Sequence, residues 1–348
     1  MMKMQTFPKL VMHMLLALGL ILVSSQVGLS QSPVPAPAPA PGPGYGDYTP
    51  SSGLEVGFYI GKCEVDVEAL IADAIEKVFY KDPTILPAML RLQFHDCFVN
   101  GCEASILISG NLTEKAAGPN GSVRGYEVID AIKEAIEAKC PDVVSCADII
   151  VVSTATLLHL GGGPVYTPET GRRDGLESNV LDVDLPSPTM SVQESIAFFV
   201  ARGFTAREMV ALLGCHSVGI THCPIFEDRL YEDSASYDAS MDQKLRRQLT
   251  RLCPKDAMSN NITPLNQDRA NKNTVDNTLY GQLLLKRGIL QLDQALSSDP
   301  ETSDIVREYA RNPTSFHTDL ALAIKKLQAF EVLTGDQGEI RKVCSKIN

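Results

Sequence analysis

The sequence predicts a mostly α-helical globular domain preceded by a leader and an extended arm. Two observations predict the helices. From Glu55 onward apolar residues recur at helical rather than alternating spacing, and Gly, Pro and Asp breakers separate the periodic runs. A third sets the class, because neither a convincing β-alternating series nor a repeat of fixed period is present in the sequence.

The elements follow in order. Lys3 and Lys9 precede the apolar run Val11 to Val23, and small or polar residues follow from Ser24 to Ser30. That three-part layout predicts a secretory signal over residues 1–30. The run is short for a bilayer and lacks a basic stop-transfer flank, so a membrane span is not expected. Residues 31–54 contain SPVPAPAPAPGPGYGDYTPSSG, whose Ala-Pro units lack backbone donors and favour an extended polyproline II spacer. A globular domain is then expected over 55–348. Its helical runs are Val65 to Phe79, Tyr126 to Ala138, Cys146 to Leu160, Ser191 to Ala201, Ala206 to Leu213, Met241 to Leu252 and Phe316 to Phe330.

With 348 residues, 44% of them hydrophobic, the chain is long enough for a well-buried core. A formal charge of −11 argues against nucleic acid as a partner, because gripping phosphates requires clustered Lys and Arg. Nine cysteines lie downstream of the leader, at 63, 97, 102, 140, 146, 215, 223, 253 and 344. In an oxidising compartment eight can form four bridges with one left over, and spacing alone leaves their connectivity open. A zinc site drawing on Cys97, Cys102, Cys215, His216, His222 and Cys223 is the competing use, although no compact C-x-x-C pair is present. Sequons occur at Asn111, Asn120 and Asn261.

Two clusters carry chemistry. In RLQFHDCFVNGCEAS, residues 91–105, Arg91 and His95 are four apart and share one helix face beside Phe94, with Asp96 and Cys97 turned elsewhere. A neutral imidazole that moves a proton and a fixed cation that stabilises departing hydroxide together suit cleavage of a peroxide O–O bond. An Arg and a His packed between helices would use the same residue types. In LLGCHSVGITHC, His216 lies between two glycines, which would let a flat group approach the backbone. If His216 ligates a metal, its outward nitrogen should donate to a carboxylate, and Asp293 is the candidate.

Taken together and in this order, RLQFHDCFVNGCEAS, AGPNGSVRGYEVID, CPDVVSCAD, GRRDG, LPSP, LLGCHSVG and ILQLDQAL resemble the secreted plant haem peroxidases (class III) from about Glu55 to the C-terminus. The resemblance implies the all-α haem peroxidase fold, about ten helices in distal and proximal halves sandwiching one haem b. It implies that Arg91 and His95 are the distal catalytic pair, that Phe94 is the adjacent aromatic, and that Asn120 accepts from the far nitrogen of His95. A buried role of that kind disfavours glycosylation at Asn120. His216 corresponds to the iron ligand, Asp293 to its carboxylate and Pro186 to the donor-access proline. Such enzymes use hydrogen peroxide to take single electrons from two donors, commonly phenols.

Two calcium ions per chain are implied as well: a distal one at Asp96, the carbonyls of Val99 and Gly101, Glu103 and Ser105, and a proximal one at Ser217, Asp268, Asn271, the carbonyl of Thr274 and Asp276. The implied bridges are Cys63 to Cys140, Cys97 to Cys102, Cys146 to Cys344 and Cys223 to Cys253, leaving Cys215 unpaired as inert packing. The implied protein is a secreted monomer, extracellular or in the cell wall, where a hydroxylated and glycosylated Pro-rich arm would engage wall polymers. A wall-associated binding or structural protein of the same fold, with little turnover, is the alternative.

Several positions depart from the family pattern. Glu103 stands where Asp is usual and adds a methylene to a loop whose calcium distances are ~2.3–2.6 Å, so weaker distal binding is expected. Asn271 replaces Thr or Ser, Cys215 replaces Ala or Gly, Tyr166 stands at the place of the usual tryptophan, and Thr156 falls where an Arg-Asp pair is usual, so a family ion pair is expected to be missing. His159, His222 and His317 match no catalytic position and read as structural or surface residues.

Overall fold

The computed structural model describes residues 53–348 apart from 235, 256–258 and 269–272. The leader, the arm up to residue 52 and Asn271 therefore lie outside the described residues. Eleven α-helices are present among those described: α1 Val67–Lys81, α2 Ile85–Asn100, α3 Tyr126–Glu137, α4 Cys146–Leu160, α5 Val192–Val200, α6 Ala206–Leu213, α7 Gln243–Leu252, α8 Thr278–Leu284, α9 Gln291–Leu296, α10 Ser303–Arg311 and α11 Pro313–Gln328.

All seven periodic runs are helices, and local chemistry sets their starts. Asp66 caps α1 and Ser145 caps α4, each by accepting an orphan amide of the first turn. Ser191 with Glu194, and Thr205 with Glu208, form complete capping boxes on α5 and α6. Helices α8, α9 and α10, of seven, six and nine residues, are absent from the sequence expectation.

Helix α4 is buried on nearly every face, through Ile149, Ile150, Val151, Val152, Leu157 and Leu158. A helix apolar all round belongs inside, and α1, α2 and α3 pack around it. Helix α11 packs against α6, α10 and α2, completing the main core. Cys223, Phe226, Leu230, Met241, Leu245, Leu249, Cys253 and Ile289 form a separate smaller core around α7.

A short antiparallel pair accompanies the helices: β1 Ile220–His222 against β2 Ile262–Pro264, with Thr221 opposite Thr263. Three residues are too few to show alternation, and the partners are far apart in sequence. The bridges are Cys63–Cys140, Cys97–Cys102, Cys146–Cys344 and Cys223–Cys253, with Cys215 free. With Cys97, Cys102 and Cys223 thus consumed, the zinc reading loses half of its ligand set.

Buried polar anchors tie the loops to α4. Asp148 accepts from the Tyr59 hydroxyl (2.7 Å) and the Gly171 amide (2.7 Å) and pairs with buried Arg172 (2.8 Å). Asp174 accepts from the amides of Cys146 (3.1 Å) and Ala147 (3.0 Å) at the positive end of α4, and from the Arg341 amide (3.0 Å). Thr156 turns its hydroxyl back to the Val152 carbonyl (2.9 Å), and Tyr166 accepts from the Gln328 amide (3.0 Å). No helix among the described residues is long and apolar enough to cross a membrane.

Candidate active site

Arg91, Phe94 and His95 all lie on α2. The loop before α3 meets them. The Asn120 side chain is oriented by its own bonds, because Nδ2 donates to the Glu114 carbonyl at 2.7 Å and leaves Oδ1 facing His95 Nδ1 at 2.6 Å. An amide oxygen can only accept, so Nδ1 carries the proton and Nε2 is the nitrogen that keeps a lone pair. Burial, partly offset by the Asn120 bond and reinforced by the nearby Arg91 charge, lowers the His95 pKa to about 4. The ring is therefore neutral, and its basic nitrogen is Nε2.

All three nitrogens of the Arg91 guanidinium are engaged: Nε donates to His95 Nε2 (3.3 Å), Nη1 to the Ser122 hydroxyl (2.9 Å) and Nη2 to the Pro119 carbonyl (2.9 Å). One short loop thus positions both the base and the cation. The Phe94 ring lies edge-on to His95 and stacks on Phe98 at 4.6 Å, which joins it to the aromatic core with Phe199.

His216 sits on the tight turn Gly214–Ser217 directly after α6. Its Nδ1 donates to both oxygens of Asp293 on α9 (3.0 and 2.9 Å). Burial opposes a charge on this ring, but the Asp293 carboxylate outweighs it and raises the pKa. Nε2 has no protein partner, and the side chain stays 31% exposed. The Arg91 charge disfavours protonation of both His95 and His216, as expected if the two imidazoles border one cavity. The flanking glycines differ from expectation. Gly214 leaves room for the Tyr280 hydroxyl and the Phe316 ring of the core, while Gly219 adopts a φ of +92°. Cys215 is half-buried, and burial pushes its thiol up to about 12.

Pro186 is half-buried in the loop after Val180–Asp182, whose Pro188 carbonyl accepts from the Leu292 amide (3.1 Å) next to Asp293. His222 and His317 each bond a backbone carbonyl, His317 also packs against the Phe316 ring, and His159 is exposed.

Beyond His95, α2 ends and the chain folds back. Asp96 accepts from the Ala104 amide through Oδ2 (3.1 Å), while its buried Oδ1 has no partner. The Ser105 hydroxyl donates to Glu114 Oε1 (2.7 Å), and buried Glu114 Oε2 has no partner either. Val99 lies in the last turn of α2, and the Gly101 carbonyl accepts from the Glu103 amide (2.9 Å). Burial, with the neighbouring carboxylates, holds Asp96 well above the usual carboxylate range. Burial likewise pushes Glu103 and Glu114 each up to about 7. Buried carboxylates with orphaned oxygens fit a hard cation.

On the proximal side the buried Ser217 hydroxyl has no partner. A chain of bonds runs from the Asp268 amide to Asn266 (3.0 Å), from Asn266 to the Thr278 hydroxyl (2.6 Å), and from the Thr278 amide to Asp276 (2.9 Å). Thr274 precedes Val275, whose amide donates to the Gly161 carbonyl (2.8 Å). Among the described residues no three His, Cys, Asp or Glu side chains converge as a metal-holding group, so any ion at either place would also lean on hydroxyl and backbone oxygens.

Sequence reasoning missed Ser122 and Glu114. Ser122 could have been suspected two positions beyond Asn120, whereas nothing local marks Glu114.

The peroxidase family profile matches residues 71–312. Peroxidase 44 of Arabidopsis thaliana is 45% identical over 299 residues, covering 85% of this chain and 93% of that protein. Peroxidase 57 of the same plant is 43% identical over 297 residues, with the same two shares. Peroxidase 60, also from Arabidopsis thaliana, is 45% identical over 296 residues, covering 84% of this chain and 89% of its own length. The chain accordingly belongs to the peroxidase family, in its plant class, and is a haem enzyme that uses hydrogen peroxide to oxidise small donors.

Proposed function

We propose that residues 55–348 form the catalytic domain of a secreted enzyme that holds one haem b between His95 and His216 and oxidises phenolic donors. His216 supplies the iron ligand through Nε2, and Asp293 keeps its Nδ1 proton engaged so that the ring is electron-rich. When bound, haem supplies the oxidising equivalents drawn from peroxide and passed on to donors one electron at a time. His95 Nε2 takes the proton from one peroxide oxygen and returns it to the other, while Asn120 holds the tautomer that makes this possible. Arg91 stabilises the negative charge that develops on the departing oxygen. Phe94 walls the distal side, and Pro186 borders the approach of the donor.

Two calcium ions complete the reading: the distal one at Asp96, Val99, Gly101, Glu103 and Ser105, the proximal one at Ser217, Asp268, Asn271, Thr274 and Asp276. Held near the C-terminal end of α2, the first would stiffen the chain behind His95. Residues 1–30 serve as the secretory signal, and 31–54 form an arm for contact with wall polymers. The mature protein acts as a glycosylated monomer in the cell wall.

The observation that carries this reading is the setting of the two imidazoles, one with Nδ1 on an amide and the other with Nδ1 on a carboxylate, each leaving the lone pair on Nε2, which at His95 meets only the Arg91 Nε donor at 3.3 Å. The test is an absorption spectrum of the full chain supplied with haem, before and after adding peroxide. A Soret band that shifts with peroxide and returns with a phenol is expected, and a colourless or unresponsive protein overturns the reading.

A further inference from the structure

Gly175 lies beside the distal loop for a reason that its backbone does not explain. Its amide donates to the Glu103 carbonyl (2.8 Å), and its own carbonyl accepts from buried Arg341 (2.6 Å). It is not among the glycines with positive φ, so its conformation suits any L residue. Space is the constraint: a Cβ built on Gly175 would fall inside the Glu103 carboxylate, with Oε1 at 3.2 Å and Oε2 and Cδ closer still.

Glu103 is buried, at 5% exposure, and its carboxylate spans two places. One oxygen rests in the gap at Gly175, while Oε1 accepts from the Ser105 amide (3.3 Å). Ser105 in turn joins Glu114, and the unpartnered oxygens of Asp96 and Glu114 lie in the same network. An aspartate at 103 would be one methylene shorter and would not fill the gap.

We propose that the gap at Gly175 seats the longer Glu103 side chain so that its carboxylate stays at the distal cation cage, which makes Gly175 a determinant of calcium retention in this protein. The inference rests on the distal calcium reading above and deepens it. It also offsets the weak binding expected from Glu103 alone, because the extra methylene is taken up by the gap instead of crowding the ion.

The test is a double-mutant cycle on the full, haem-loaded chain, reading calcium per chain by elemental analysis and calcium affinity by chelator competition. Gly175→Ala should lower distal calcium affinity roughly 10- to 100-fold, as loss of a supporting contact does at metal sites. Glu103→Asp should bind within a few-fold of wild type, and Gly175→Ala should have little further effect in the Glu103→Asp background. Equal calcium retention by Gly175→Ala and wild type overturns the inference, as does an equal loss in both backgrounds. Should Gly175→Ala fail to fold, the double variant decides: recovery of folding and calcium uptake supports the seat, and failure of both variants overturns it. Wild type that retains only one ion, or none, overturns the distal calcium reading itself.

Discussion

The two imidazoles of the site differ in what holds Nδ1. His95 is held by the neutral Asn120 amide and has its pKa lowered to about 4, whereas His216 is held by the Asp293 carboxylate and has its pKa raised. In both rings Nδ1 is held and Nε2 keeps the lone pair, which at His95 accepts from Arg91 Nε (3.3 Å) and at His216 has no protein partner, so the pattern at Nδ1 is shared and the charge is not. An amide fixes the tautomer without adding negative charge, which suits a ring that must accept a proton and release it. A carboxylate adds electron density, which suits a ring that must stay bonded to a metal. The difference teaches that the partner, more than the histidine, sets the task.

The strongest way to break this comparison is to remove the distal base. His95→Leu should slow the reaction with peroxide by about 10²- to 10⁴-fold while haem stays bound, measured by stopped-flow absorption. Next comes the proximal partner. Asp293→Asn should weaken haem retention roughly 10- to 100-fold and move the haem potential positive, read by haem transfer to an acceptor protein and by spectroelectrochemistry. An unchanged potential would mean that the carboxylate does not tune the ring.

The comparison is sharpened by giving the distal ring a proximal-type partner. With His95 at about 4, peroxide reactivity should hold above that pH and fall as pH drops through it, because protonated Nε2 cannot act as a base. Asn120→Asp should move that acid limb upward by about one to three pH units, since a nearby carboxylate favours the charged imidazole. Smallest is Ser122→Ala, which removes one of three anchors of Arg91. Loss of a hydrogen bond to a charged group costs about 1.5–3 kcal/mol, and with the other two anchors kept the low end applies, so roughly tenfold slower peroxide reaction with unchanged haem retention is expected.

Much of the site is legible without coordinates because its residues are set by local spacing. Arg91 and His95 share a face four residues apart on a helix, and that holds wherever the helix packs. His216 stands out through its turn, although the reason assigned to Gly214 is wrong, since the protein's own Phe316 and Tyr280 fill the space. Glu114 could not be found locally. Its importance comes from Ser105 and Asn120, nine and six positions away in the chain and joined to it only by the folded loop. The β1–β2 pair is equally invisible, because strands of three residues carry no period and exist through each other.

Helix positions, the breakers between them, the hydroxyl and carboxylate caps and the four-residue pairing of Arg91 with His95 were determined by the sequence itself, because each depends on neighbours within a turn or two. Tertiary structure alone decided which nitrogen of each imidazole keeps its lone pair, how Arg91 is anchored, which cysteines pair, and why position 175 is glycine. Those outcomes depend on groups brought together from distant segments, from Ser122 to Asp293 to Glu103, and no local pattern encodes a distance that only packing creates.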